Sequence, residues 1–258
     1  METPPKTIFG RGIRIIRRQG FLAFSKQVST FARDRFLGRF RIAFFTPRFL
    51  RLSRNIKELD EAAEFLYSFK YLGIGVQPFQ DKGEVVDFMR LLETASPETV
   101  IEIGTGAGGT LFLLTLVSRN NATLVSIDLP PSAVGIGYPK WKEGLYSSFA
   151  RDSQTIHLVR GDSHQERTVS AVKEKLGDRQ ADVLFIDGDH TYDGVRRDFD
   201  LYSPLVRKGG IVAFHDIVPH HIRKDIRVPD FWKEIRGRYQ YTEIAKETHR
   251  NGIGVLYL

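Results

Sequence analysis

Five short apolar runs, at 99–103, 123–127, 155–159, 182–186 and 210–214, alternate with helical patterns near 109–119, 141–151, 165–176 and 192–206. That alternation constrains the fold more than any other feature, because strands separated by helices pair in parallel. It predicts an α/β class: a doubly wound, mostly parallel seven-stranded sheet with helices on both faces. Two late segments, about 239–246 and 252–258, supply the last strands as a closing pair joined through Asn251-Gly252, after a helix near 229–236. Ahead of the alternation, Ile56, Leu59, Ala63 and Leu66 predict a helix from Asn55 to Phe69. Val85, Val86, Met89 and Leu92 predict another from Lys82 to Glu93, closed by Ser96-Pro97. A sheet of this kind binds ligands at the carboxyl ends of its strands.

The chain has 258 residues and no cysteine, which excludes a disulfide framework, a cysteine-bound metal and a thiol nucleophile. The aliphatic stretch from Leu111 to Val117 is far too short to span a bilayer. Arg11, Arg14, Arg17 and Arg18 interrupt any signal-peptide core, so a cytoplasmic location is expected. The net charge of +7 is unevenly distributed. Residues 1–54 hold 13 Lys and Arg against Glu2 and Asp34, a net of +11, and nine of the 19 phenylalanines. The remainder is net −4. This divides the chain into a basic, Phe-rich helical arm, 1–54, and a body, 55–258.

At the end of the first long strand stands Glu102-Ile103-Gly104-Thr105-Gly106-Ala107-Gly108-Gly109-Thr110, a loop that opens a helix. Glycines there let the backbone turn sharply and let a cofactor come close. The pattern alone fits a dinucleotide equally well, but Glu102 suits the ammonium group of S-adenosylmethionine, whereas a pyrophosphate gains nothing from a neighbouring anion. Asp128 ends the next strand, placed for ribose hydroxyls of either cofactor. Asp162 and Ser163 end the third, where they would meet an adenine amino group or cap the following helix.

The fourth strand ends in Ile186-Asp187-Gly188-Asp189-His190-Thr191-Tyr192 and the fifth in Phe214-His215-Asp216. On neighbouring strands, Asp187, Asp189 and His190 would face His215 and Asp216 across a cleft. Carboxylates so close repel unless a cation or proton intervenes, and an oxygen-rich set with imidazole suits Mg²⁺ or Mn²⁺. His220 and His221 could extend the set, although a surface position fits their loop better.

The glycine loop from Glu102 to Gly106, Ile127-Asp128, the segment from Ile186 to Tyr192 and Phe214-His215-Asp216 together resemble the class I S-adenosylmethionine-dependent methyltransferases. The likeness covers roughly 77–258 and is nearest the small-molecule O-methyltransferase branch, with its catechol, macrolide-sugar and rhamnosyl O-methyltransferases and cephalosporin hydroxylase-like proteins. It implies a Rossmann-like methyltransferase fold and methyl transfer from S-adenosylmethionine to a hydroxyl of a small molecule or sugar. It implies cofactor contacts from Gln80, Glu102, Gly104, Thr105, Gly106, Thr110, Asp128, Asp162, Ser163 and Asp187, with Gln77 in the same segment. It also implies a divalent metal on Asp187, His215 and Asp216, and Asp189 as general base. The chain departs from the branch in carrying His215 where many members have an acid.

In-line methyl transfer needs an acceptor oxygen held about 3 Å from the methyl carbon and stripped of its proton. With a metal, Asp189 or His190 would take that proton; without one, His215 backed by Asp216 would. Acceptor contacts are expected from Gly135-Ile136-Gly137-Tyr138-Pro139-Lys140-Trp141 and the loop after Asp216. A nicotinamide oxidoreductase, an RNA methyltransferase using the arm and a non-catalytic interaction protein remain alternatives. Nucleic acid is disfavoured by the negative body. For the arm, Phe24, Val28 and Phe31, then Phe36, Phe40 and Phe44, fall in helical steps among arginines 33, 35, 39 and 41. It would either anchor on an anionic inner-membrane surface, cover the cofactor cleft, or pack between subunits of a homo-oligomer.

Overall fold

All five apolar runs are strands of one sheet in the computed structural model, which describes residues 21–131, 137–219, 223–245 and 251–258, with side chains from residue 37 on. Gly135, Ile136, His220, His221 and the arginines of residues 1–20 lie outside the described residues. A short hairpin, β1 (Lys70–Tyr71) and β2 (Ile74–Gly75), precedes the main sheet. The main strands are β3 (Thr99–Ile103), β4 (Thr123–Asp128), β5 (Thr155–Arg160), β6 (Ala181–Ile186), β7 (Val206–His215), β8 (Gln240–Ile244) and β9 (Ile253–Tyr257). They lie in the order β5-β4-β3-β6-β7-β9-β8, with β9 alone running opposite to the other six.

Strand residues alternate between two cores. Val100, Leu124, Val183, Phe185, Ala213 and Val255 face one side. It is covered by α2 (Leu59–Ser68), α3 (Lys82–Ala95), α4 (Gly109–Val117) and α5 (Glu143–Ser147). Ile101, Val125, Leu184, Val212 and Leu256 face the other, under α6 (Glu166–Leu176), α7 (Tyr192–Tyr202) and α8 (Val228–Ile235). Burial on both faces is why these strands read as continuous apolar runs rather than alternating ones. The same rule explains the closing pair. β8 and β9 pair as the sequence predicts, but Ile253, Val255 and Leu256 are buried on both sides, so β9 enters between β7 and β8. The more polar β8 becomes the edge.

Helix α3 begins where Asp81 accepts hydrogen bonds from the backbone N–H groups of Gly83 (2.9 Å) and Glu84 (3.3 Å). It ends at Ser96 in a left-handed conformation just before Pro97, as expected. The helix expected over 55–69 starts only at Leu59, and the one over 141–151 is confined to Glu143–Ser147 after a single tight turn at Lys140–Lys142.

Among the described residues the arm is helical over α1 (Phe21–Ser53), whose last part enters the core. Phe45 and Phe49 are fully buried, stacked at 5.6 Å, and meet Phe65, Phe69, Phe112 and Phe149. Gly38 sits so close to the Trp141 indole that a Cβ there would be 2.4 Å from the ring. Packing therefore accounts for Phe45 and Phe49. It does not account for Phe40 and Phe44, which are exposed.

Candidate active site

Strand order reverses between β3 and β6, and the two ends are tied together there. Asp187 N–H donates to Ile103 O across that junction, and Gly104 N–H donates to Ile127 O of β4 on the other side of β3, each at 2.8 Å. Gly104 has φ +103, and a Cβ would stand 2.1 Å from the Asp187 carbonyl oxygen, so only glycine fits. Gly106, at φ +53, donates its N–H to Asp128 Oδ2 at 2.8 Å, while Asp128 Oδ1 accepts Leu129 N–H at 2.6 Å. Asp128 thus holds the loop through Oδ2 and its own turn through Oδ1, and the carboxylate keeps further lone pairs for ribose hydroxyls. The exposed Phe79 ring lies over the Gly106 face.

Behind the loop, Thr105, Ser126 and Glu102 form a buried chain. The Thr105 and Ser126 hydroxyls are in contact, and Ser126 Oγ donates to Glu102 Oε2. Glu102 Oε1 is buried without a partner, and burial raises the carboxyl to about 8, with Ser126 opposing and Asp128 and Asp187 adding to the rise. A buried acid held this high would be ionised by a cation brought next to it, which is the chemistry expected of a ligand ammonium.

Gln80 links this half of the site to the other. Its Oε1 accepts from Thr110 Oγ1 at 2.9 Å, its Nε2 donates to Asp187 Oδ2, and its carbonyl accepts from Tyr67 at 2.6 Å. Tyr67 gave no signal in the sequence beyond its place in a helix. Tyr146, equally unmarked, donates its hydroxyl to Gly106 O at 3.0 Å and packs against Gly108.

Asp187 Oδ1 receives His215 Nδ1 at 3.0 Å, and His190 Nδ1 meets Asp216 Oδ2 at 2.9 Å. Asp187, His190 and Asp216 each offer a ligand atom, all within 4.8 Å of one another. Asp216 adopts φ +64, unusual for a residue with a side chain. His215 stands behind this group at 5% exposure with Nε2 buried and unpartnered. Burial alone would depress its pKa, but Asp187, then Asp216 and the buried Glu84, raise it to about 9. His190 is 34% exposed; burial lowers its pKa, yet Asp216 and Asp187 shift it upward on balance.

Three expected site residues have local work in the backbone. Asp189 is exposed and accepts Thr191 N–H at 2.9 Å at the start of α7, outside the cluster. Asp162 accepts His164 N–H at 3.0 Å, and the Ser163 carbonyl accepts the Tyr202 hydroxyl at 2.9 Å. Their turn still abuts the site, since Gly161 N–H donates to Asp128 O at 2.9 Å.

Residues 101–217 match a family described as a methyltransferase domain. An uncharacterized protein of Acanthamoeba polyphaga mimivirus is 32% identical over 118 residues, 46% of this chain and 51% of that protein. The match thus spans about half the length of that relative. Among solved structures, one from Staphylococcus aureus assigned as a caffeoyl-CoA O-methyltransferase has a TM-score of 0.56 at 13% identity, covering 83% of this chain and all of that one. The O-methyltransferase TomG of Streptomyces achromogenes, solved with S-adenosylmethionine, has a TM-score of 0.53 at 15% identity over 81% of this chain and 94% of its own. An O-methyltransferase of Bacillus cereus, solved with S-adenosylhomocysteine, has a TM-score of 0.53 at 14% identity over 82% and 96%. These likenesses give the chain a Rossmann-like methyltransferase fold.

Proposed function

We propose, from the premise that residues 101–217 are a methyltransferase domain, that the chain transfers a methyl group from S-adenosylmethionine to a hydroxyl of a small molecule or sugar. One observation carries this reading. Through Gln80, the helix that follows the glycine loop and the acid–imidazole cluster are joined at the point where the strand order reverses. A methyl donor and an acceptor hydroxyl have to meet at such a junction.

The residues present fit the cofactor. Gly104, Thr105, Gly106 and Thr110 would line its path, Glu102 would face the ammonium, Asp128 the ribose, and Asp162 or Ser163 the adenine. The orphaned Glu102 Oε1 supports the ammonium contact most directly. Asp187, His190 and Asp216, two carboxylates and an imidazole, fit a hard divalent ion such as Mg²⁺ or Mn²⁺. When bound, such an ion would lower the acceptor hydroxyl's pKa. In this arrangement His215 is a positioning residue, holding Asp187 by its Nδ1. A second reading rests on the 2.9 Å contact of His190 with Asp216. Asp216 fixes Nδ1, and Nε2 is then the nitrogen that takes the acceptor proton without a metal.

Gly106→Arg tests the cofactor half. The long side chain enters the loop face, and affinity for S-adenosylhomocysteine is expected to fall about a hundredfold or more, which is roughly 3 kcal/mol. Circular dichroism should show the fold retained. Unchanged affinity in a folded Gly106→Arg protein removes the basis for the assignment.

A further inference from the structure

The outward face of α1 combines two properties that rarely share a solvent-exposed helix. Gly38, Phe45 and Phe49 turn toward the body, which leaves Phe40 72% and Phe44 64% exposed, one turn apart. Leu37 and Leu52 are exposed too. At helical spacing these four fall in one broad stripe with Arg41, Arg48 and Arg51. The β1–β2 hairpin widens the stripe. Arg48 lies over the Tyr71 ring at 4.8 Å, Arg41 reaches Gly73, and the exposed Leu72 sits at the turn. Between Asp34 and Glu58 the sequence holds no acid, but it holds Arg35, Arg39, Arg41, Arg48, Arg51, Arg54 and Lys57. Two copies meeting through this face would bring like charges together. A surface made for water alone has no use for paired phenyl rings.

We propose that this face docks on an anionic bilayer surface, with Leu37, Phe40 and Phe44 in the headgroup boundary and the guanidinium groups on lipid phosphates. The occupant follows from charge complementarity: apolar groups need a partner that excludes water, and an acid-free basic stripe needs a partner that is negative. No described helix is long and apolar enough to cross a membrane, so the attachment is peripheral at this face. It is independent of the chemistry at the carboxyl ends of the strands.

The full chain is sedimented with vesicles of phosphatidylcholine alone and of equal parts phosphatidylcholine and phosphatidylglycerol. It should bind the anionic vesicles and ignore the neutral ones. Binding should fall about tenfold or more as salt rises from about 0.05 M to about 0.5 M. Phe40→Ser with Phe44→Ser, and separately Arg48→Glu with Arg51→Glu, change exposed positions. Each pair should keep its circular dichroism spectrum and lose about tenfold or more in vesicle binding. No binding at low salt overturns the proposal, and so does binding retained by both variants. A dimer detected by light scattering, lost in the phenylalanine variant, with no vesicle binding, would make the face a subunit contact instead.

Discussion

Replacing Asp187 with alanine is expected to weaken Mn²⁺ binding about a hundredfold or more, as read by electron paramagnetic resonance, with S-adenosylhomocysteine affinity nearly unchanged. Asp187 is the carboxylate to which the rest of the cluster is fitted. Gln80 holds one of its oxygens and His215 the other, while His190 and Asp216 lie within 4.8 Å in ligand-atom distance. Removing it deletes one of the two carboxylates that suit a hard divalent ion, and the cost of losing a ligand exceeds the 10- to 100-fold typical of outer-shell partners. Asp189→Ala is the control. Its side chain accepts Thr191 N–H outside the cluster, so Mn²⁺ affinity should stay within about threefold. A wild-type protein that binds no Mn²⁺ would leave His190 backed by Asp216 as the proton acceptor.

The second large effect lies in the fold beside the site. Asp198, on α7, is completely buried, and the imidazole beside it is that of His164, whose Nε2 lies 3.2 Å from Oδ1 and 3.1 Å from Gly194 O. Where His164 is protonated, His164→Ala leaves that carboxylate in the core without its cation, a change that costs about 3 kcal/mol. Urea unfolding should show it. The pH dependence adds a sign. The Asp198 carboxylate beside its Nε2, against opposing burial, raises the His164 pKa above 6.5. A raised histidine gives its full stabilisation below the unfolded value and loses it as pH climbs through the folded one. The stability gap between wild type and His164→Ala should therefore be widest below the ordinary histidine value of about 6.5 and narrow as pH rises through the raised folded value. A gap that stays constant across that range would mean the pair carries no charge-dependent stabilisation.

The sheet was legible because its strands are buried on both faces and bounded by turn residues, as at Val100-Ile101-Glu102-Ile103 before Gly104. The acids at strand ends were legible for the same reason: once β3, β4, β6 and β7 are placed, Asp128, Asp187 and Asp216 have nowhere else to be. What strand placement could not give was the choice between two histidines. His215 continues the alternation of Ile211 and Ala213 and so falls on the side of α3, where the buried Glu84 lies. His190 follows the strand in a loop, where no periodicity fixes it. The pair of Asp198 and His164 was missed, although a signal existed. Asp198 sits with Val195, Phe199 and Tyr202 on the apolar stripe of α7, and an acid in that position needs a partner. The insertion of β9 depends on contacts with β7 far away in sequence, which local pattern does not encode.

The most direct test of the methyltransferase reading is calorimetric titration of the full chain with S-adenosylhomocysteine and with NAD⁺, each with and without Mg²⁺. Glu102 and Asp128 flank the loop with potential negative charge, which favours a ligand carrying an ammonium and opposes a pyrophosphate. The expected result is micromolar-range binding of S-adenosylhomocysteine, roughly −8 kcal/mol, and no measurable heat with NAD⁺. Binding of NAD⁺ with no response to S-adenosylhomocysteine would contradict it.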